Sequence, residues 1–117
     1  MAKLFDWVRY RVAFYGSTQA YWPVFDVHGL GDLGRKLNAM TRAGQWNEMA
    51  KEVSDDVVHL FAAVGRHDQI VAALEARYAG LVDTIQTGAG DGSALGLPAD
   101  LIQDIKRLPQ QFAGYPA

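Results

Sequence analysis

Apolar residues recur at helical spacing along most of this chain, which predicts a helix-rich protein. The first stripe lies in Lys3–Tyr15 and consists of Leu4, Trp7, Val8, Val12 and Tyr15. A short helix is predicted over Gln19–Val27, and longer ones over Leu33–Ala43, from near Gln45 onward, over Asp68–Tyr78 and over Ala99–Leu108. Glycines and prolines punctuate the pattern: Gly44 and Gly80 follow helical segments, and Pro109 follows the last one.

Two short apolar runs flank the helix Asp68–Tyr78 and interrupt the helical pattern. The runs are Leu60–Val64, which Gly65 follows, and Leu81–Ile85. Together the stretch His59–Thr87 has the pattern of a strand–helix–strand unit, the unit from which parallel sheets are built. The prediction is therefore an α/β fold, helix-rich, with about five helices and two short strands.

A mostly α fold is the alternative. Periodicity alone does not separate a short buried strand from a buried turn of helix. Ala62 and Leu81 tolerate a helix, whereas Val82 and Ile85 favour a strand.

Composition indicates how many domains the chain forms, which classes of protein it fits and where in the cell we expect it. A length of 117 residues with 50% hydrophobic residues fits one domain with a real core. Its regions would be a helical part (1–58), the strand–helix–strand unit (59–87), and a loop, last helix and tail (88–117). A net charge of −2 gives no electrostatic footprint for nucleic acid, and no apolar run approaches the roughly 20 residues that a membrane span needs. The chain has no cysteine, so we expect a cytoplasmic protein without disulfides or thiolate chemistry.

Three sequence segments resemble segments of one enzyme family. They are AFYGSTQAYWPVFDVHG (Ala13–Gly29), GDLGRKLNAMTRAGQWNEM (Gly31–Met49) and FAAVGRHDQIVAALEARYAGLVDTI (Phe61–Ile85). In order and spacing they are similar to the C-terminal part of luciferase-like flavin-dependent oxidoreductases (monooxygenases among them), above all the actinobacterial branch that uses a deazaflavin. The resemblance covers roughly Val8 to Ile85.

The resemblance implies an incomplete β/α barrel (TIM barrel), since a full barrel takes roughly 250 residues. It implies a deazaflavin coenzyme or FMN as the family's cofactor. In the family, earlier strands carry most of the cofactor contacts and the catalytic groups, so this chain is expected to lack autonomous catalysis. The alternative for the cofactor is that this chain binds none itself. Expected partners are a second copy, giving a homo-oligomer such as a dimer, or a chain that supplies the missing strands. The alternative function is a non-catalytic helical module that self-associates.

The first candidate cofactor-binding residues are Gly16, Ser17 and Thr18. Backbone N–H groups and hydroxyls at a helix N-terminus bind phosphate. The same residue types also form a cap between two helices, which is the favoured interpretation. Aromatic residues are concentrated around this segment, and packing, in part between subunits, is favoured over a ligand-stacking platform.

The second candidate pair, Arg66 and His67, follows the first predicted strand, where the active face of a barrel would be. Arg66 would meet an anionic cofactor tail or remain solvated, and His67 would act as acid/base or simply begin a helix. The glycine-rich loop Gly88–Gly92 is a phosphate-loop candidate or a connector, with the connector favoured. No metal site is predicted, because the three histidines lack ligand spacing and the neighbours Asp55 and Asp56 do not converge on a helix.

Overall fold

The protein is described here from a computed structural model, which describes residues 2–85 and 98–109. The chain divides into two compact units, Met1–Ala62 and Ala63–Ala117. The described residues contain six α-helices and two short 3₁₀ turns. In the first unit these are α1 (Ala2–Gly16), α2 (Trp22–Val27), α3 (Gly31–Arg42) and α4 (Asp55–Phe61), with 3₁₀ turns at Gln19–Tyr21 and Met49–Glu52. In the second unit they are α5 (Ile70–Tyr78) and α6 (Ala99–Lys106).

The predicted helix-rich character is confirmed, but the two predicted strands are wrong. No residue in 2–85 or 98–109 belongs to a strand. Leu60 lies in the last turn of α4, and the N–H of Ala62 still donates to the carbonyl of Val58 at 2.9 Å. The α/β fold and the two-strand barrel unit are therefore replaced, over the described residues, by the mostly α alternative.

The second run, Leu81–Ile85, fails to form a strand for a local reason. Gly80 adopts a φ of 76°, which turns the backbone after α5. The N–H groups of Leu81 and Val82 then both donate to the carbonyl of Tyr78, at 2.9 and 3.2 Å. Donors held in this turn are not available to a neighbouring strand, and the Leu81 side chain is 80% exposed.

The core of the first unit lies between α1, α3, α4 and the 3₁₀ turn Met49–Glu52. Its fully buried large side chains are Leu37, Met49, Val53 and Val58. The helix predicted from near Gln45 onward is divided here into the 3₁₀ turn and α4. Ser54 makes the division: its Oγ accepts from the N–H of Val57 at 3.3 Å and caps α4.

Helix α1 meets the core with only part of the stripe that the sequence indicated, because Val12 of that stripe is buried and other members are exposed. Val12, Ala13 and Gly16 are its buried residues. Leu4 and Trp7, expected to face inward, are 60% and 46% exposed. The helix has apolar residues on both sides, so spacing alone did not identify the side that meets the core.

Candidate functional site

Gly16 and Ser17 lie at the C-terminal end of α1, and Thr18 is the residue that precedes the 3₁₀ turn Gln19–Tyr21. The N–H of Ser17 donates to the carbonyl of Ala13 at 2.9 Å, and that of Thr18 to Tyr15 at 3.0 Å. The hydroxyls of Ser17 and Thr18 both donate to the carbonyl of Phe14, at 2.6 and 3.3 Å. These donors are engaged within the protein, and Ser17 is only 6% exposed.

Gly16 and Ser17 also join α1 to α2 and α3. The indole Nε1 of Trp22 donates to the carbonyl of Gly16 at 3.1 Å, and Nδ2 of Asn38 donates to the carbonyl of Ser17 at 2.8 Å. A Cβ on Gly16 would collide with the buried ring of Phe25. The segment therefore satisfies carbonyls that α1 leaves unpaired at its end, whereas the Thr18 side chain makes no capping hydrogen bond to the 3₁₀ turn that follows.

Arg66 and His67 belong to the second unit and precede α5. The guanidinium of Arg66 is 3.6 Å from the carboxylate of Asp68, with both side chains more than half exposed. Oε1 of Gln69 accepts from the N–H of Arg66 at 3.4 Å. Arg66 thus pairs with a neighbour in sequence, in an open position.

His67 contacts a residue that the sequence gave no reason to pair with it. Its Nε2 is 2.9 Å from Oδ2 of Asp100, in the first turn of α6. The hydrogen bond from His67 lowers the pKa of the Asp100 carboxyl below its ordinary value. A carboxylate that orients an imidazole is an arrangement used in general acid/base sites, but both side chains here are more than half exposed.

The five predicted cofactor-binding residues are divided between the two compact units. Gly16, Ser17 and Thr18 lie in the first unit, and Arg66 and His67 in the second. Their assignment to a cofactor remains a prediction. The candidate loop Gly88–Gly92 lies outside the described residues. Within the described residues no group of three or more His, Asp or Glu side chains is arranged to hold a metal ion.

A cleft of about 310 Å³ lies in the second unit, between the end of α5 and α6. Its lining is mostly apolar and includes Tyr78, Val82, Ile85, Ile102, Ile105 and Leu108. Lys106 and Asp83 add one charge of each sign. The volume is at the lower end of the range for small-molecule sites.

An exposed aromatic surface lies in the first unit. It consists of Trp7, Phe14, Tyr15, Tyr21 and Trp46, each between 37% and 46% exposed. Arg11 lies among these rings: its guanidinium is 5.7 Å from the ring centre of Trp7, 5.9 Å from Phe14 and 5.1 Å from Tyr15. The signal was present in the sequence, because positions 7, 11, 14 and 15 are three or four residues apart and share one helix face.

Comparisons with known proteins find mycobacterial relatives. The chain is 42% identical over 77 residues to uncharacterized proteins Rv1360 and MT1405 of Mycobacterium tuberculosis and Mb1395 of Mycobacterium bovis. The match covers 66% of this chain but only 23% of each relative, so the chain corresponds to less than a quarter of their length. No family model and no solved structure matches the chain. In the described residues no helix is long and apolar enough to cross a membrane.

Proposed function

We propose that this chain corresponds to a C-terminal portion of a luciferase-like oxidoreductase, a protein that moves hydride between a deazaflavin or flavin and an organic substrate. The observation that carries the proposal is the order and spacing of the three sequence segments Ala13–Gly29, Gly31–Met49 and Phe61–Ile85. The relatives' length supports it: 77 residues at 23% of the length put each relative at about 335 residues. A β/α barrel with insertions has this size.

In this proposal the chain supplies a helical packing element and has no autonomous catalysis. Two observations favour the absence of autonomous catalysis. The donors of Ser17 and Thr18 are used within the end of α1, which leaves no anion cradle there. Arg66 and His67 are open to solvent and paired with carboxylates, without the water-excluding walls in which such groups are most effective. We place the protein in the cytoplasm, the location that the cysteine-free sequence predicts.

Calorimetric titration with the deazaflavin coenzyme and with FMN tests both parts of this proposal. The full-length M. tuberculosis relative is titrated in parallel as the matched comparison. We expect the relative to bind one of the two coenzymes and this chain to show no heat of binding at near-millimolar ligand.

The kinship with luciferase-like oxidoreductases and the absence of autonomous cofactor use are contradicted by different results. A relative that binds neither coenzyme contradicts the kinship with luciferase-like oxidoreductases. A chain that binds a coenzyme by itself contradicts only the absence of autonomous cofactor use.

The second candidate function is a self-associating helical module. The observation that favours it is the aromatic surface of Trp7, Phe14, Tyr15, Tyr21 and Trp46, because contiguous exposed apolar patches of this kind mark interaction sites on soluble proteins. Sedimentation velocity at tens to hundreds of micromolar tests it. A single monomeric species throughout that range contradicts it.

A further inference from the structure

The cleft between the end of α5 and α6 has the composition of a small-molecule site. Such sites are concave and mostly apolar, and they carry a few polar groups that orient the ligand. The apolar part of this lining includes Tyr78, Ile102 and Ile105, each of which is only half-buried. Apolar surface that still faces water in a concave site is removed from water by a ligand, and this removal favours binding.

Hydrogen bonds fix the walls of the cleft before any ligand binds. Nε2 of His67, before α5, is 2.9 Å from Oδ2 of Asp100 in the first turn of α6. The beginnings of α5 and α6 are thereby joined, while their ends border the cleft. At the end of α5, the N–H groups of Leu81 and Val82 both donate to the carbonyl of Tyr78. Walls that are ordered in advance lower the entropy that binding costs.

The polar groups of the lining indicate the charge of the ligand. Lys106 and Thr84 both line the cleft, and in the described part of the chain neither the ammonium nor the hydroxyl has a hydrogen-bond or ion-pair partner. Asp83 carries the opposite charge, but it already interacts with another group. The cleft therefore offers two unused donors, one of them cationic. A carboxylate accepts from both, and its hydrogen bond with an ammonium is charge-assisted.

The cation lies beside the apolar wall because of its spacing in the sequence. Ile102, Ile105 and Lys106 occupy positions i, i+3 and i+4 of α6, and such positions share one helix face. A lysine places its methylene stem along apolar surface and keeps its charged head in water. The ammonium of Lys106 is thus available at the edge of the wall that the two isoleucines form.

We propose that this cleft is a binding site for a small apolar carboxylate. The apolar part of the ligand lies against Tyr78, Ile102 and Ile105. Its carboxylate meets the ammonium of Lys106 and the hydroxyl of Thr84. A water molecule takes about 30 Å³ in the liquid, so a cleft of about 310 Å³ has room for about ten non-hydrogen atoms. The inference goes beyond the proposed function and does not depend on it, because it uses only residues of the second unit.

An NMR titration of the full chain with phenylacetate tests the site. Phenylacetate combines a carboxylate with an aromatic ring and has the size that the cleft admits. The backbone amide signals give the dissociation constant and also identify the residues that respond. At the ligand efficiency of small molecules, we expect a dissociation constant of about a millimolar. The shifts that saturate should lie in residues 78–85 and 99–109, which include the lining.

Lys106→Gln tests the cation, and Arg107→Gln is its matched control. Both remove one positive charge at the end of α6, but neighbouring residues on a helix point about 100° apart. Arg107 is 78% exposed and is not among the described residues that line the cleft. Lys106→Gln should weaken phenylacetate binding by about fivefold, whereas Arg107→Gln should change it by less than about twofold. Thr84→Val, which removes the hydroxyl and keeps the shape, should weaken binding by about threefold.

A series of ligands separates the charge from the apolar contact. Phenylacetamide keeps the ring and the size of phenylacetate but has no charge, and phenethylammonium reverses the charge. We expect the amide to bind about fivefold more weakly than the acid, because it loses the ion pair with Lys106. The ammonium should bind more weakly still, since it brings a like charge to the same lysine.

Different results contradict different parts of this inference. The absence of saturable shifts up to about 20 mM phenylacetate overturns the binding site as a whole, and so do shifts confined to other residues. Equal effects of Lys106→Gln and Arg107→Gln, or equal affinities for the acid and the amide, overturn the contact between the carboxylate and Lys106. Tighter binding of phenethylammonium than of phenylacetate overturns the assignment of the ligand as an anion.

Discussion

At the scale of single residues, close packing in the first unit depends on the absence of a side chain at Gly16. Gly16 is buried at the end of α1, where its carbonyl accepts from Trp22 and its Cα faces the ring of Phe25. Gly34 makes the matching approach from α3, where a Cβ would be 2.9 Å from Cδ1 of Trp22. The aromatic rings of α2 therefore pack directly against the backbone of α1 and α3.

Gly16→Ala should therefore destabilise the first unit, although alanine is the better helix former by about 1 kcal/mol. The added methyl group overlaps the Phe25 ring and comes within 3.0 Å of Cδ1 of Leu37, so we expect a net loss of about 1–3 kcal/mol. Chemical denaturation measures it.

Phe25→Leu supplies the control through a double-mutant cycle. The smaller side chain makes room for the methyl group, so Gly16→Ala should cost less in the Phe25→Leu background. Equal costs in both backgrounds would contradict the close approach of Gly16 to Phe25.

At the scale of elements, two polar contacts tie segments that are distant in sequence. Arg9 of α1 donates from Nη1 to the carbonyl of Val53 at 2.5 Å and pairs with Asp55 at the start of α4. His67, before α5, meets Asp100 in the first turn of α6. Arg9 is 19% exposed, whereas the histidine pair is open to solvent, so the two contacts should differ in what they contribute to stability.

Arg9→Met should lower the free energy of unfolding by about 1–2 kcal/mol, because the carbonyl of Val53 loses its part-buried donor. Arg9→Lys should recover less than half, since a single ammonium does not reproduce the forked contact to a carbonyl and a carboxylate. Urea denaturation gives these values. Lys36→Gln is the control: it removes an exposed pair with Glu52 at 2.5 Å and should cost at most about 1 kcal/mol.

The His67–Asp100 contact predicts a specific dependence on pH. Because the pKa of Asp100 is lowered in the folded protein, its contribution to stability is complete above the ordinary aspartate value of about 3.9. The contribution is lost as the pH falls through the lowered pKa. A carboxyl NMR titration should find Asp100 below its ordinary value, and His67→Gln should return it toward that value. An Asp100 pKa that His67→Gln leaves unchanged would rule out the histidine as the cause.

At the scale of the whole molecule, the sequence predicted the helices well and the strands wrongly. Periodicity located α3 and α6 to within a few residues, because each has one apolar stripe and clear end signals. Leu81–Ile85 carries a strand-like composition, but a strand exists only through hydrogen bonds to a neighbour, and the turn after α5 takes those donors. Local composition holds no information about that competition.

The candidate site shows the same division between local and long-range information. Residue types alone favoured a cap at Gly16, Ser17 and Thr18; the hydroxyls of Ser17 and Thr18 do bind a carbonyl at the end of α1, but the Thr18 side chain does not cap the 3₁₀ turn that follows. The partnership of His67 with Asp100 spans 33 residues and left no mark on the pattern of either segment. Arg11 was overlooked for another reason: an arginine on a helix resembles a solvated charge until the rings around it are known.

The placement of the indole side chains has a practical consequence for studying this protein in solution. All three tryptophans, Trp7, Trp22 and Trp46, lie in the unit Met1–Ala62. Their emission therefore follows the opening of that unit alone, whereas the ellipticity at 222 nm sums the helices of both. A denaturation recorded with both signals distinguishes one cooperative transition, in which the curves coincide, from two, in which the residual ellipticity belongs to α5 and α6.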